Sequence, residues 1–240
     1  MKEEELKRLI EFMEKLQYRF LEPKLLFTAL CHSSYAHEER QRGRKDVESN
    51  ERLEFLGDAV VDFLIAEHLY TSYPEAPEGT MSKIKAAAAS EDALALIARD
   101  LGLNEYIFLG HGEELSGGRE RESILSGAVE ALAAALYLDG GLKVTKSVLL
   151  SHLARYIEQI AEGRIVFDHK TTLQEIVQER YRTLPEYVLV REEGPAHMKK
   201  FFVEVRVKGQ ALAVGEGSSI KDAEKNAAKL ALERLRVMDS

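Results

Sequence analysis

Through its first two thirds the chain spaces apolar residues three and four apart, and after Gly163 it changes to strict alternation. The first pattern predicts helices. Leu6, Leu9, Ile10, Met13 and Leu16 make an amphipathic helix within residues 3–20, and Pro23 opens a shorter segment through Leu25, Leu26 and Leu30. Residues 37–49 are charged and without period, which predicts a surface loop. Ser49 and Asn50 offer N-caps for a long helix reaching about Tyr70, and Pro74, Pro77 and Gly79 form the connection after it. Residues 80–89 and 90–101 predict two further helices, with Ser90 as N-cap and Gly102 as the stop. The glycines between 102 and 121 predict a loop region. An Ala- and Leu-rich run over 122–137 predicts a central buried helix, ended by Asp139-Gly140-Gly141 and followed by a last helix over 142–161.

The second pattern predicts strands. Phe201, Val203, Val205 and Val207 alternate with Phe202, Glu204, Arg206 and Lys208, the period of a strand with one buried face. Residues 187–193, 199–208 and 210–216 are the expected strands, flanked by helices over 169–180 and 219–237, the second with Ala223, Ala227, Leu230 and Ala231 on one side. The order α-β-β-β-α is that of a small α+β domain. The expected organisation is an all-α domain over 1–161, a linker over 162–167 and the α+β domain over 168–240.

Charge sharpens this division. Residues 168–240 carry 13 Lys and Arg against 12 Asp and Glu, whereas residues 1–167 carry 20 against 29. An acidic body and a near-neutral module suggest two different tasks, and the overall net charge of −8 does not exclude a nucleic-acid partner. No apolar run approaches the roughly 20 residues that span a bilayer, and no membrane partner is expected. Cys31 is the only cysteine, so neither an internal disulfide nor a thiolate zinc site is expected. With an acidic N-terminal stretch unlike a secretory signal, a cytoplasmic location is expected.

The candidate chemistry lies on the long helix. Glu51, Glu54 and Asp58 fall within roughly 60° of one another at helical spacing, while Leu53, Leu56, Val60 and Phe63 take the opposite, core-facing side. Like charges at this spacing cost a helix a few tenths of a kcal/mol each, so the face is either solvated or holds a cation. Glu130 sits between Val129 and Ala131 in the most apolar helix, where an unpaired carboxylate is expensive to bury. It is either a satisfied core carboxylate or a partner of the acidic face; Glu78 is a further candidate. If Glu54, Asp58 and Glu130 converge, their oxygens suit Mg²⁺ or Mn²⁺ rather than zinc. Such ions activate water and stabilise charge on a phosphoryl group. His32 and His37 lack a third ligand, and Gly110-x-Gly112 lacks the rest of a phosphate loop.

The run Asn50-Glu-Arg-Leu-Glu-Phe-Leu-Gly-Asp-Ala-Val-Val61 resembles the nuclease signature of bacterial ribonuclease III. Glu78-Gly79, Ser123-Ile124-Leu125 and Glu130-Ala131-Leu132 extend the resemblance, as does a C-terminal segment similar to a double-stranded-RNA-binding domain. The resemblance implies an all-α endonuclease domain followed by that α-β-β-β-α domain. It implies a Mg²⁺-dependent endoribonuclease, with Mn²⁺ as a substitute, that hydrolyses duplex RNA to 5′-phosphate and 3′-hydroxyl ends with short 3′ overhangs. Ribosomal and other precursor RNAs are the implied targets. Glu54, Asp58 and Glu130 become the metal and catalytic carboxylates, Glu51 and Glu78 shape the cleavage site, and Phe55 becomes the plug inserted into the partner of a homodimer.

One position departs from the family pattern. Gly127 stands where the resemblance calls for a metal-ligand Asp, which predicts weaker metal binding and slower turnover. It also raises an alternative: a double-stranded-RNA-binding protein with weak or no cleavage. In the C-terminal domain, Gln174 and Glu175 match the first RNA-contacting helix and His197 the loop that enters the minor groove. Ser219, Lys221 and Lys225 match the phosphate-contacting start of the last helix, with Ile220 replacing a second lysine.

Overall fold

The computed structural model describes residues 1–195 and 199–238, in two compact units, Met1–Ile165 and Val166–Ser240. The first unit runs α1 (Glu3–Leu16), α2 (Pro23–Leu30), α3 (Ser33–Gln41), α4 (Glu51–Ser72), α5 (Glu78–Ala88), α6 (Glu91–Leu101), α7 (His111–Leu115) and α8 (Glu122–Ala161). Its core is built on α8, which is buried continuously from Ile124 to Leu136 except at Glu130 and again at Thr145, Leu149, Leu153, Tyr156 and Ile157. Against this apolar axis α4 packs Leu53, Gly57, Val60, Val61, Leu64, Ile65 and Leu69. By length and composition α8 could cross a bilayer, contrary to the sequence expectation, but 61% of its most apolar window is buried inside the unit. That burial is the signature of a core helix.

Four local expectations are corrected. Residues 33–41 form a helix where much of the segment reads as loop, because the group that α3 turns inward is the carboxylate of Glu39, not an apolar stripe. Phe63 is 50% exposed, whereas Gly57, Val61, Leu64 and Ile65 supply core contacts. The helix expected to stop at residues 139–141 continues as α8 through a kink at Gly141, where φ is +73°. Asp139 beside the kink accepts the Tyr18 hydroxyl at 2.7 Å and the N–H groups of Leu21 and Glu22 at 2.9 and 2.8 Å, tying the α1–α2 connection to it. Finally, residues 102–121 contain α7 and two 3₁₀ turns rather than open loop.

The second unit runs α9 (His169–Tyr181), β1 (Glu186–Glu193), β2 (Lys200–Val207), β3 (Gln210–Gly217) and α10 (Ile220–Met238). Its sheet is antiparallel in the order β1-β2-β3. The alternation in β2 does what its period implies: Val203, Val205 and Val207 are buried. With Ala213 of β3 they lie on the side covered by α9, through Leu173 and Val177, and by α10, through Ala227, Ala231 and Leu232. Leu230, expected on the inner side of the last helix, is 42% exposed; Ala228 and Leu235 are buried instead.

Candidate active site

The acidic face of α4 meets α8 where a glycine removes all distance between the two backbones. A Cβ on Gly57 would lie 1.8 Å from the carbonyl oxygen of Glu130, closer than any side chain tolerates. This approach brings Glu130 between Glu54, three residues before Gly57, and Asp58, just after it. One turn earlier on α8, a Cβ on Gly127 would stand 2.8 Å from Oε2 of Glu54. The carboxylates that the sequence leaves on two separate helices are therefore neighbours.

Their electrostatics agree with the geometry. Burial first, and then the charges of Asp58, Glu54 and Asp62, together push the Glu130 carboxyl up to about 7. Burial and Glu51 also raise Glu54. Among the described residues, no Lys or Arg pairs with Glu54, Asp58 or Glu130. Asp62 is a member that the sequence reading missed. It lies one turn beyond Asp58 and accepts a 2.5 Å bond from Lys85; its place one more turn along the acidic stripe was the available signal.

As they lie, no three His, Cys, Asp or Glu among the described residues are disposed to hold one ion. The donor chemistry nevertheless fits a hard divalent cation, because every candidate atom is a carboxylate oxygen and Glu130 faces only like charge.

A family profile described as Ribonuclease-III-like matches residues 22–157, and one described as a double-stranded RNA binding motif matches 169–235. The chain belongs to the ribonuclease III family. "Ribonuclease 3" of Pseudothermotoga lettingae is 65% identical over 98% of this chain and 99% of its own length. "Ribonuclease 3" of Clostridium tetani is 44% identical over 95% and 94%. The nuclease domain of ribonuclease III from Campylobacter jejuni, solved by crystallography, superposes with a TM-score of 0.54 at 37% identity, covering 65% of this chain and 96% of that one. The chain is accordingly a metal-dependent endoribonuclease for double-stranded RNA. None of these matches favours the non-cleaving alternative.

Other ribonuclease III positions are less tightly grouped. Glu51 is exposed at the start of α4 and accepts a 2.6 Å bond from the Ser49 hydroxyl. Glu78, at the start of α5, accepts from Ser82 at 2.7 Å and has no bond to the other carboxylates. Phe55 is 84% exposed. Asn50, expected as an N-cap, makes no cap: its backbone is already helical, with φ −74° and ψ −10°. In the double-stranded RNA binding motif, Gln174, Glu175, Ser219, Lys221 and Lys225 are all exposed. Ser219 also accepts the Asp222 N–H at 3.1 Å, capping α10. His197 lies outside the described residues.

Proposed function

We propose that this chain cuts duplex RNA as a homodimer, with Mg²⁺ held by Glu54, Asp58 and Glu130 and with Mn²⁺ as a substitute. The observation that carries this reading is the Gly57–Glu130 approach, which gathers like charges with no Lys or Arg among the described residues to balance them. Once bound, the metal would supply an activated water and stabilise charge at the scissile phosphodiester. Glu130, whose carboxyl lies near neutrality, is suited to hold or release a proton beside that phosphate. Glu51 and Glu78 border the approach of the RNA. The products carry 5′-phosphate and 3′-hydroxyl ends with short 3′ overhangs, as two active sites offset across a dimer would leave them.

The dimer is supported by an apolar stripe on α4. Phe55, Phe63 and Tyr70 are 84, 50 and 75% exposed and share one side of the helix with Ala59 and Ala66. Large aromatic groups interleaved with alanines suit burial against a second copy, with Phe55 as the plug. A nuclease-domain structure of ribonuclease III from Campylobacter jejuni is likewise described as flexible in a region involved in dimer formation.

The exposed Gln174, Glu175, Ser219, Lys221 and Lys225 are the duplex-contacting residues of the second unit in this reading, and the family resemblance assigns the same role to His197, outside the described residues. Cytoplasmic processing of ribosomal and other precursor RNAs is the setting that fits; a single, buried cysteine suits a reducing compartment. The test is incubation with a long perfect RNA duplex and Mg²⁺, then Mn²⁺. Cleavage to short duplexes with 3′ overhangs is expected; retarded but intact RNA under both conditions would sink the reading.

A further inference from the structure

In the second unit an ion pair lies at the seam between the two helices assigned to the duplex. Lys170, in the first turn of α9, donates to Glu224 of α10 at 2.7 Å. Its ammonium also lies 4.7 Å from the centre of the Tyr187 ring on β1, so one cation engages all three elements. Lys170 precedes Gln174 by four residues, about 40° away around the helix, and Glu224 lies between Lys221 and Lys225. A carboxylate between two lysines assigned to phosphate would repel the RNA backbone, and Lys170 is the cation that neutralises it. Asp222, the other carboxylate of this turn, accepts the Ser218 hydroxyl at 2.7 Å. Lys170 and Glu224 keep 42% and 25% of their side-chain surface in solvent, and a pair that exposed adds little to stability.

What the pair adds is register. α10 is fixed against β3 by close approach: a Cβ on Gly215 would stand 2.1 Å from the Ala227 nitrogen, and one on Gly217 2.3 Å from that of Ala223. Asn226 donates to the Glu216 carbonyl at 2.8 Å. α9 rests on the same core through Leu173 and Val177, and apolar contact is non-directional, so it tolerates rotation and sliding. The bond to Glu224 is directional and stops both at the start of the helix. We infer that Lys170 and Glu224 are positioning residues for duplex recognition. Their bond fixes the spacing between Gln174 and Glu175 on one helix and Lys221 and Lys225 on the other. That fixed spacing suits the unit to one groove geometry, the A-form duplex. The inference rests on the assignment of those four residues as duplex contacts.

The test measures binding of the whole chain to a perfect RNA duplex and to an RNA–DNA hybrid of the same sequence, in chelator so that nothing is cut, across a salt series. Lys170→Met should weaken RNA-duplex binding about fivefold and hybrid binding less, because the loosened helices adapt to either groove. The slope of log affinity against log salt should not change. A slope shallower by about one would make Lys170 a phosphate contact and overturn the positioning role. Glu224→Gln separates tie from charge by sign. It removes a negative charge beside the phosphates, so charge alone would tighten binding, whereas loss of the tie should weaken it and narrow the RNA-to-hybrid ratio. The double variant should be no worse than either single one, and Lys170→Arg should restore affinity and ratio. The thermal midpoint should stay within about 2 °C of the parent throughout. An unchanged ratio in Lys170→Met, tighter binding by Glu224→Gln, or a larger fall in the midpoint would overturn the inference. Lys221→Ala combined with Lys225→Ala is the independent check: undiminished affinity and slope there would overturn the duplex-contact assignment itself.

Discussion

The first unit contains two carboxylate clusters that differ in who supplies the positive charge. Glu5 and Glu39 are 3% and 0% exposed. Arg44 bridges them, with Nη1 at 2.5 Å from Glu5 and 2.6 Å from Glu39. Arg42 and Lys2 add bonds to Glu39 at 2.7 and 2.8 Å, and the Tyr35 hydroxyl donates to Glu5 at 2.6 Å. Burial raises both carboxyls, but these bonds outweigh it and hold each down at about 2. Around Glu130 the acting charges are those of Asp58, Glu54 and Asp62, of which only the outermost, Asp62, is paired, with Lys85, and the carboxyl moves the other way, to about 7. The first cluster is finished by the fold. The second is left in deficit, which is the state in which a divalent cation gains most by binding.

The hardest break in the comparison is Glu130→Gln. It removes one charge from the unbalanced cluster and the group poised near neutrality. Cleavage in Mg²⁺ should fall by on the order of 10³-fold or more, while duplex affinity, measured by gel retardation, stays within about twofold. Turnover close to that of the parent would remove Glu130 from the site.

Next in size is the balanced cluster. Arg44→Met leaves Glu5 and Glu39 buried with their shared cation gone. Removing one partner of a buried ion pair costs about 3–5 kcal/mol, or about 10 °C in a domain of this length. Differential scanning calorimetry reads the loss, and cleavage per folded molecule should be unchanged well below the lowered midpoint. A shift under about 2 °C would mean that Lys2 and Arg42 suffice for Glu39 and that Tyr35 suffices for Glu5.

These two clusters also show what was legible in the sequence. The acidic stripe Glu51, Glu54, Asp58 could be read because helical periodicity is local, and Glu130 stood out as a charge in an apolar run. Asp62 escaped notice although it continues the same stripe. The Glu5–Glu39–Arg44 network was invisible, because Glu5 is far in sequence from Glu39 and Arg44 and no periodic pattern links the three. For the same reason α3 read as loop: what it buries is an ion pair. The kink at Gly141 and the continuation of α8 also escaped, since Gly-Gly ordinarily ends a helix. Asn50 was misread as a cap for a related reason, since sequence supplies the residue type favoured at an N-cap but not the direction of its side chain. The strand alternation needed nothing beyond period two.

The pH response should separate the clusters with smaller shifts. Glu5 and Glu39 titrate lower folded than unfolded, so their stabilisation is present above about pH 4.5 and is lost as pH falls toward 2. Glu130 titrates higher folded than unfolded, so its contribution is present below about pH 4.5 and is lost as pH rises through 7. In chelator, the thermal midpoint should therefore drop by a few degrees between pH 5.5 and 8, and Glu130→Gln should flatten that limb. Added Mg²⁺ should stabilise more at pH 8 than at pH 6, because the ion and the proton compete for the same carboxyl. Identical limbs in the parent and Glu130→Gln would show that some other group titrates there.

The smallest effect sharpens the comparison from within the unbalanced cluster. Gly127→Asp adds a carboxylate whose Cβ would stand 2.8 Å from the end of the Glu54 side chain. Because that neighbour is a flexible terminus, Glu54 can rotate away, and the helix itself gains slightly from losing a glycine. The added charge makes the deficit deeper, so the midpoint in chelator should fall by about 1–3 °C. It also offers one more oxygen, so Mg²⁺ affinity by calorimetry should rise roughly three- to tenfold, with a matching gain in cleavage at limiting metal. At saturating metal the gain should shrink. Unchanged metal affinity together with unchanged cleavage at limiting metal would remove position 127 from the metal site.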